Sequence, residues 1–134
     1  MKAEFTVPGR PMTKKNSQQI WRNKTTGKPF VVQSEQYQTY ETACLWVLKK
    51  YRGPKFTGPV HLQARYWMPD RKSWPDLPGL YQATADILEK AGIIDNDRNI
   101  VCMDGSRIVG VDKENPRVEI MVESCKTEFD IEMA

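Results

Sequence analysis

Apolar and polar residues alternate along two stretches of the chain, and this alternation predicts two β-strands. Ala3, Phe5 and Val7 are separated by polar residues before Pro8-Gly9 ends the run. Residues 60–68 alternate over a longer stretch. A period of two with one apolar face is typical of a half-buried strand. We therefore expect a short strand near the N-terminus and a longer one in the middle of the chain.

Two further stretches place apolar residues three and four positions apart, which predicts amphipathic helices. The first follows Ser34, a residue type that caps helix N-termini, and ends near residues 52–54. The second starts near Pro78, with Asp76 just upstream, and stops at Gly92. Their predicted buried faces consist of Tyr37, Tyr40, Cys44, Val47, Leu48 and Tyr51 in the first helix, and Leu80, Ala83, Thr84, Ile87, Leu88 and Ala91 in the second.

The remaining elements complete an α+β pattern. Thr26-Gly27 predicts the turn of a loose hairpin, and residues 107–111 and 117–123 predict two strands joined by a turn. The order strand, hairpin, helix, strand, helix, strand, strand predicts a small mixed or antiparallel sheet with its two main helices on one face. We expect a single domain over residues 1–123, followed by an acidic tail at 124–134.

Charge is unevenly spread over the 134 residues, whose formal net charge is +3. The first 60 residues hold 11 Lys and Arg against 3 Asp and Glu, whereas the rest hold 9 against 14. A basic half suits a polyanion and an acidic half suits a cation, which favours nucleic acid together with a metal. The alternative is that the asymmetry only solubilises the surface.

The cysteine and histidine content excludes several classes of site. Three cysteines at wide spacing and a single histidine, His61, exclude zinc fingers, His-based metallohydrolases and nucleases with a histidine base. Free thiols favour a reducing compartment. Since no run approaches the ~18–20 apolar residues of a membrane span and no signal peptide follows Met1, we expect a cytoplasmic protein without membrane contact.

Acidic residues stand at both ends of the second predicted helix, with Asp76 before it and Asp95 and Asp97 after it. Mg²⁺ prefers oxygen ligands and needs only one or two protein carboxylates beside a substrate phosphate. If the chain folds back, these positions could share a divalent metal. The alternatives remain open: Asp76 could stabilise the helix dipole, and the Asp95–Asp97 segment could be turn chemistry.

Helix geometry argues against a further acidic residue, Asp86, as a partner of Asp76. Ten residues at a rise of ~1.5 Å separate the two by roughly 15 Å along the helix. We therefore expect Asp86 to face solvent or to pair with Lys90 at the i+4 position.

A succession of motifs resembles the RusA family of Holliday-junction resolvases, which are small, often prophage-associated, dimeric endonucleases. The resemblance covers roughly residues 59–123, and the stretch Val7-Pro-Gly-Arg-Pro-x-Thr-Lys-Lys-Asn16 is similar to the Pro-rich opening loop of that family. The motifs are Trp67-Met-Pro-Asp-Arg71, Asp76-Leu-x-x-Leu80, Ala83-x-x-Asp86-x-Leu88, Lys90-Ala-Gly92 and Asp97.

The resemblance implies a Mg²⁺-dependent endonuclease, with Mn²⁺ as a possible substitute, that acts as a homodimer on four-way junctions in recombination and repair. It makes Asp76 the first catalytic carboxylate and Asp97 the third, both as metal ligands. With the second carboxylate missing, we expect Asp95 as a further ligand, and Asp70 is the alternative. The chain departs from the D-x-D-N-x-x-K pattern of the family, because Pro78, Gly79 and Gln82 replace the second Asp, the Asn and the Lys. The alternative is therefore a catalytically inactive RusA-like protein that binds branched DNA.

Basic and aromatic residues near these positions are candidates for DNA contact. Trp67 is expected to pack on its strand instead. The predicted DNA-binding residues are Arg10, Lys14, Lys15, Asn16, Arg71, Lys72, Trp74 and Gln82. The alternatives are a flexible, solvated basic loop and an unrelated α+β module that binds RNA or protein through its basic half. A nuclease of the P-D…(D/E)-x-K type is disfavoured, because no acidic-x-Lys triplet follows at useful spacing.

Overall fold

The computed structural model describes residues 1–14, 18–22, 24–72 and 74–125. Lys15, Asn16 and most of the predicted acidic tail lie outside these ranges. In chain order the elements are β1 (Lys2–Pro8), β2 (Gln18–Arg22), β3 (Pro29–Gln33), α1 (Glu35–Leu48), β4 (Val60–Met68), α2 (Leu77–Lys90), a 3₁₀ turn (Asp97–Asn99), β5 (Ile100–Cys102), β6 (Arg107–Val111) and β7 (Arg117–Ser124).

Five strands form one mixed sheet. β7 lies between β1 and β4 and is antiparallel to both. β5 and β6 pair in parallel with the other edge of β4, β5 at its start and β6 at its end. β2 and β3 form a separate antiparallel hairpin. The α+β prediction is confirmed in its mixed form, and the sequence-based interpretation missed only the short strand β5 among these elements.

The core lies between one face of this sheet and the two helices. Along β4 the even-numbered residues are buried and the odd-numbered ones are partly exposed, as the alternation predicted. Two hydrogen bonds fasten α2 to the middle of the strand. The Tyr66 hydroxyl lies 2.6 Å from Thr84 Oγ1, and the Tyr81 hydroxyl donates to the Leu62 carbonyl at 2.8 Å. The position of α2 is therefore set by both apolar packing and buried polar contacts.

Helix α1 begins as predicted and ends earlier than predicted. Ser34 is its N-cap, and the Ser34 hydroxyl accepts a hydrogen bond from the Tyr37 amide at 3.1 Å. The helix ends at Leu48 rather than near residues 52–54, because the chain tightens into a turn in which the Tyr51 amide donates to the Leu48 carbonyl. Tyr51 consequently packs only partly against the core.

The segment after α2 turns back towards the helix. Gly92 adopts a φ of +78°, a left-handed conformation that glycine adopts without strain and that ends a helix. Ile94 then forms a parallel bridge with Phe56, and the Asp95 amide donates to the Phe56 carbonyl at 3.0 Å. This pairing directs the Asp97–Asn99 turn alongside the last turns of α2. None of the described helices is long and apolar enough to cross a membrane.

Candidate functional site

Asp76 stands at the N-terminus of α2 with its carboxylate uncommitted to the helix. It is the N-cap residue in an extended conformation, yet its side chain makes no capping hydrogen bond. The residue is exposed, and the loop before it is anchored by buried Pro75 and by Trp74, which packs partly against the core. The backbone therefore holds Asp76 in place while its carboxylate oxygens face the surface.

Gly79 makes room for this carboxylate. A Cβ atom on residue 79 would stand 2.5 Å from Asp76 Oδ1 and 3.2 Å from the methyl group of Thr13. The first distance is shorter than real Cβ contacts allow. The missing side chain thus lets the Asp76 carboxylate lie over the first turn of α2 and lets the N-terminal loop approach the helix.

A cleft of about 380 Å³ runs along this side of α2. One wall is the outer face of the helix, and the other includes the N-terminal loop. The residues that line it are Lys14, Asp76, Pro78, Gly79, Gln82, Ala83 and Asp86. Two carboxylates therefore stand along one groove, with an amide between them and an ammonium group beside them.

Gln82 connects two acidic residues within this region. Its Nε2 atom donates to Asp86 Oδ1 at 2.9 Å and makes a longer contact of 3.4 Å to Asp97 Oδ2. Since one nitrogen atom contacts both carboxylates, their oxygens can be no further apart than these two lengths combined. The fold-back after α2 thus brings Asp97 next to Asp86.

A second contact fixes the position of Asp97. Its backbone amide donates to Glu89 Oε1 at 3.0 Å, and the neighbouring Asn96 side chain accepts a hydrogen bond from the Arg98 amide. Gln82, Asp86 and Glu89 recur at intervals of four and three residues on one stripe of α2. This stripe was a signal in the sequence that could have linked the helix to the Asp97 turn.

The predicted pairing of Asp86 with Lys90 is wrong, whereas Asp86 does face the open cleft, with 29% of its side chain exposed. Lys90 pairs with Glu41 of α1, whereas Asp86 Oδ2 lies 3.2 Å from Lys14 Nζ. Lys14 and Glu41, which are distant in the sequence, thus replace the i+4 pairing of Asp86 with Lys90 that the helix spacing predicted. The rise of the helix separates Asp86 from Asp76. The fold-back after α2 nevertheless brings Asp97 to the same helix, beside Asp86.

Asp95 lies apart from this group. Its carboxylate pairs with Lys55 at 3.3 Å, and it is not among the residues that line the cleft. Within the described ranges, no three His, Cys, Asp or Glu side chains are close enough together to hold a metal ion. The structure therefore shows no three-carboxylate cage, and the assignment of Asp95 to a metal stays a prediction.

A buried tyrosine lies near the acidic residues. Burial, with the added negative charge of Glu41 and Asp86, raises the pKa of Tyr37 above its usual value. Its hydroxyl group has no hydrogen-bond partner among the residues that the structure describes. The side chain consequently stays neutral and contributes apolar bulk to the core.

The predicted DNA-binding residues lie in different settings. Lys14 and Gln82 line the cleft, and Arg10, Arg71 and Lys72 are exposed. Lys15 and Asn16 lie outside the described residues. The Arg71 guanidinium lies 4.5 Å from the centre of the Trp74 ring, so one face of that partly buried ring is covered. Trp67 contacts Arg117 at 3.9 Å and Arg65 at 5.3 Å, in keeping with its predicted packing role.

Comparison with known proteins identifies the family. The model of the endodeoxyribonuclease RusA family matches residues 8–123, which is most of the chain. The chain belongs to the RusA family. The match confirms the resemblance seen in the motifs, and it places the N-terminal loop of this RusA-family chain, with Thr13 and Lys14, inside the family region. No curated protein matches the chain.

Proposed function

We propose that this RusA-family chain is a Mg²⁺-dependent endonuclease that resolves four-way DNA junctions, or related branched DNA, in recombination and repair. One observation carries the proposal. Within the region matched by an endodeoxyribonuclease family, α2 presents Asp76 and Asp86 along a surface cleft, and the fold-back places Asp97 beside Asp86. Carboxylates at an open cleft are the groups that metal-assisted phosphodiester hydrolysis requires.

The proposed metal site uses one or two carboxylates of this chain and is completed by the substrate phosphate and water. The Asp76 carboxylate makes no hydrogen bond that caps the helix, and the Asp97 carboxylate accepts a long contact of 3.4 Å from Gln82, so both carboxylates have oxygens that can bind a metal. When bound, Mg²⁺ would polarise the phosphoryl oxygen and lower the pKa of the attacking water, and Mn²⁺ is a chemical substitute. Asp76 and Asp97 are the proposed ligands, with Asp95 as a third only if it leaves Lys55.

The chain's own residues position the reacting groups. In hydrolysis the water oxygen forms a bond to phosphorus while the bond from phosphorus to the leaving oxygen breaks. The leaving oxygen keeps the electron pair and takes a proton from solvent, and a cleft carboxylate accepts the proton that the water loses. The exposed basic residues Arg10, Arg71 and Lys72 are proposed to bind flanking phosphates.

Junction resolution also requires two cuts. A four-way junction has approximate two-fold symmetry, so a two-fold homodimer would present two clefts to symmetric strands. The homodimer and the cytoplasmic location belong to the proposal. Lys15 and Asn16 remain predicted DNA contacts outside the described residues. Trp74 is partly buried and is covered on one face by Arg71, and it is proposed to stack on an unpaired base once Arg71 moves away.

A non-cleaving, junction-binding protein is the second candidate, and two observations favour it. Pro78 offers no ligand atom at the position of the second family carboxylate, and the uncharged Gln82 amide contacts two of the carboxylates. In this alternative the cleft recognises DNA without activating water.

Cleavage of a synthetic four-way junction in Mg²⁺ or Mn²⁺ separates these functions. The wild-type protein is expected to make paired nicks, and Asp76→Asn and Asp97→Asn to slow them by at least about 10²-fold while binding is retained. Glu4→Gln, an exposed change on β1 that breaks only a surface pair with Lys2, is the matched control. Asp95→Asn reports on the third ligand.

Two results contradict the proposal in different ways. Intact junction binding without nicking by the wild type would establish the non-cleaving alternative. Equally weak binding to a junction and to a linear duplex would exclude both functions, and would favour a module that binds RNA or protein.

A further inference from the structure

The cleft on α2 places one ammonium group within a network of acidic side chains. Lys14 Nζ lies 3.2 Å from Asp86 Oδ2, and the other oxygen of Asp86 accepts a hydrogen bond from Gln82 at 2.9 Å. Gln82 also contacts Asp97 at 3.4 Å. Lys14, Gln82, Asp86 and Asp97 thus form a connected group, which we call the Lys14 network.

The backbone that carries Lys14 is docked on the protein. Pro11 and Thr13 are buried, and Met12 packs against the core. The Thr13 methyl group lies close to α2 at Gly79, where a Cβ atom would stand 3.2 Å from it. Since the preceding residues are anchored, Lys14 starts from a fixed point at the cleft, and its flexible four-carbon stem can move the ammonium group over a short range.

The charges of the cleft explain why such a cation matters. A phosphodiester is anionic, and it would meet the carboxylates of Asp76 and Asp86 on entry. Gln82, which lies between acidic groups, is neutral. Among the described residues that line the cleft, Lys14 is the cationic one.

The ion pair between Lys14 and Asp86 is expected to contribute little to the stability of the fold. The two side chains are 37% and 29% exposed. Ion pairs that remain this accessible to water contribute little to folding stability, because solvent screens them and both side chains lose freedom. A position in the cleft is the feature that distinguishes this pair from the other surface pairs.

We propose that Lys14 is a catalytic residue that leaves Asp86 and contacts the scissile phosphate, supplying the positive charge that Gln82 lacks. This role rests on the proposed nuclease function. As water bonds to phosphorus and the bond to the leaving oxygen breaks, negative charge grows on the non-bridging and leaving oxygens. The Lys14 ammonium stabilises that charge and keeps its own protons throughout.

Single-turnover cleavage with enzyme in excess tests this role, because it separates the chemical step from binding. Lys14→Ala is expected to lower the rate of cleavage by about 10²-fold. Its affinity for the junction, measured in Ca²⁺, should stay within about threefold, since one phosphate contact among several is lost. Lys2→Ala is the matched control, because it breaks an exposed Lys–Glu pair of 3.5 Å on β1, away from the cleft and from every proposed metal ligand.

A second variant distinguishes chemistry from structure. A lysine at position 82 starts from the point where the Gln82 side chain reaches both Asp86 and Asp97. Gln82→Lys added to Lys14→Ala is therefore expected to restore cleavage at least about tenfold, as expected if positive charge at the reacting phosphate is what was lost. A role of Lys14 in holding the loop would not be rescued in this way.

The outcomes separate failure of this inference from failure of the nuclease function. If Lys14→Ala cleaves within threefold of the wild type while Asp76→Asn does not cleave, Lys14 has no catalytic role and the nuclease function stands. If affinity and rate fall in parallel and Gln82→Lys restores neither, Lys14 is a DNA-binding residue only. If the wild type binds junctions without cutting them, the nuclease function fails and the catalytic role fails with it.

Discussion

The two helices pack on the same face of the sheet, but their outward surfaces differ in chemistry, since one is charged and the other is mainly apolar. On α2 the outward side lines a charged cleft of about 380 Å³ that contains Asp76 and Asp86. On α1 the outward side, together with Val7 and Pro8 of β1, lines a larger groove of about 720 Å³ that is mainly apolar. Trp46 stands in this groove with 72% of its surface exposed.

The difference shows that the larger hollow is not the better candidate for the reaction. Apolar pockets suit small, largely apolar ligands. A phosphodiester and a divalent metal instead need fixed charges at an open surface, and those converge on α2. The groove on α1 is the larger of the two, but the smaller cleft on α2 has the charged groups that a phosphodiester and a metal require.

The largest contrast between the helices is expected from one substitution on each. Leu88→Ala on α2 removes a fully buried side chain and should lower the free energy of unfolding by about 3 kcal/mol. Trp46→Ala on α1 removes a side chain that is mostly in water and should change it by less than about 0.5 kcal/mol. Urea denaturation measures both, and a large loss from Trp46→Ala would show that the groove of α1 is covered in solution.

A glycine substitution sharpens the functional side of the comparison. In Gly79→Ala the new methyl group would push the Asp76 carboxylate away, since that flexible side chain yields more easily than backbone. We expect junction cleavage to fall by about tenfold, as misplaced catalytic groups lose rate, with little change in thermal stability. Gly58→Ala is the matched control because nothing lies within 4 Å of its new Cβ. Equal cleavage by both variants would contradict the placement of Asp76.

Two buried tyrosines allow a smaller test of polar packing. The Tyr66 hydroxyl is hydrogen-bonded to Thr84 of α2, whereas the Tyr37 hydroxyl on α1 has no partner in the described part of the chain. Tyr66→Phe should therefore cost about 1 kcal/mol of unfolding free energy, and Tyr37→Phe should be neutral or stabilising. Chemical denaturation of the two variants checks this order, which a reversed result would refute.

The smallest expected effect concerns Cys44, on the inward side of α1. Burial raises the pKa of its thiol to about 11. Because the thiol of the unfolded chain ionises at a lower pH, near its ordinary pKa of 9.0, the contribution to stability is complete below that pH and is lost as the pH rises towards 11. Between pH 8 and 9 the loss should be about 0.4 kcal/mol. Cys44→Ala should lack this part of the pH dependence, and an unchanged pH profile would contradict it.

Local sequence patterns predicted the fold well where the periodicity was long. The alternation over β4 and the apolar stripes of α1 and α2 each repeat over several turns or pleats, so the buried faces follow directly. β5 has only three residues and carries no such repeat. The parallel pairing of β6 with β4 depends on contacts about forty residues apart, which no local pattern encodes.

The sequence predicted acidic residues of the candidate site, but it did not predict which side chains contact one another. Asp76 lies at the mouth of α2, as its position before Pro78 indicated, and Asp97 returns to the helix. The partner of Asp86 was missed because Lys14 reaches it from a loop without periodicity. The position of the loop that carries Lys14 depends on the burial of Thr13 and on the space at Gly79. Both are properties of the folded chain and not of any one segment of the sequence.

The space at Gly79 also constrains how the sequence of this chain can change. Residues 13, 76 and 79 share one small volume, so the effect of a substitution at one position depends on the residues at the other two. Introducing the family's Asn at position 79 would add a Cβ atom to a place that the Asp76 carboxylate and the Thr13 methyl group already occupy. The family's Asn at position 79 would therefore shift the Asp76 carboxylate and press on the Thr13 methyl group, and its effect on the site would depend on the residue at position 13.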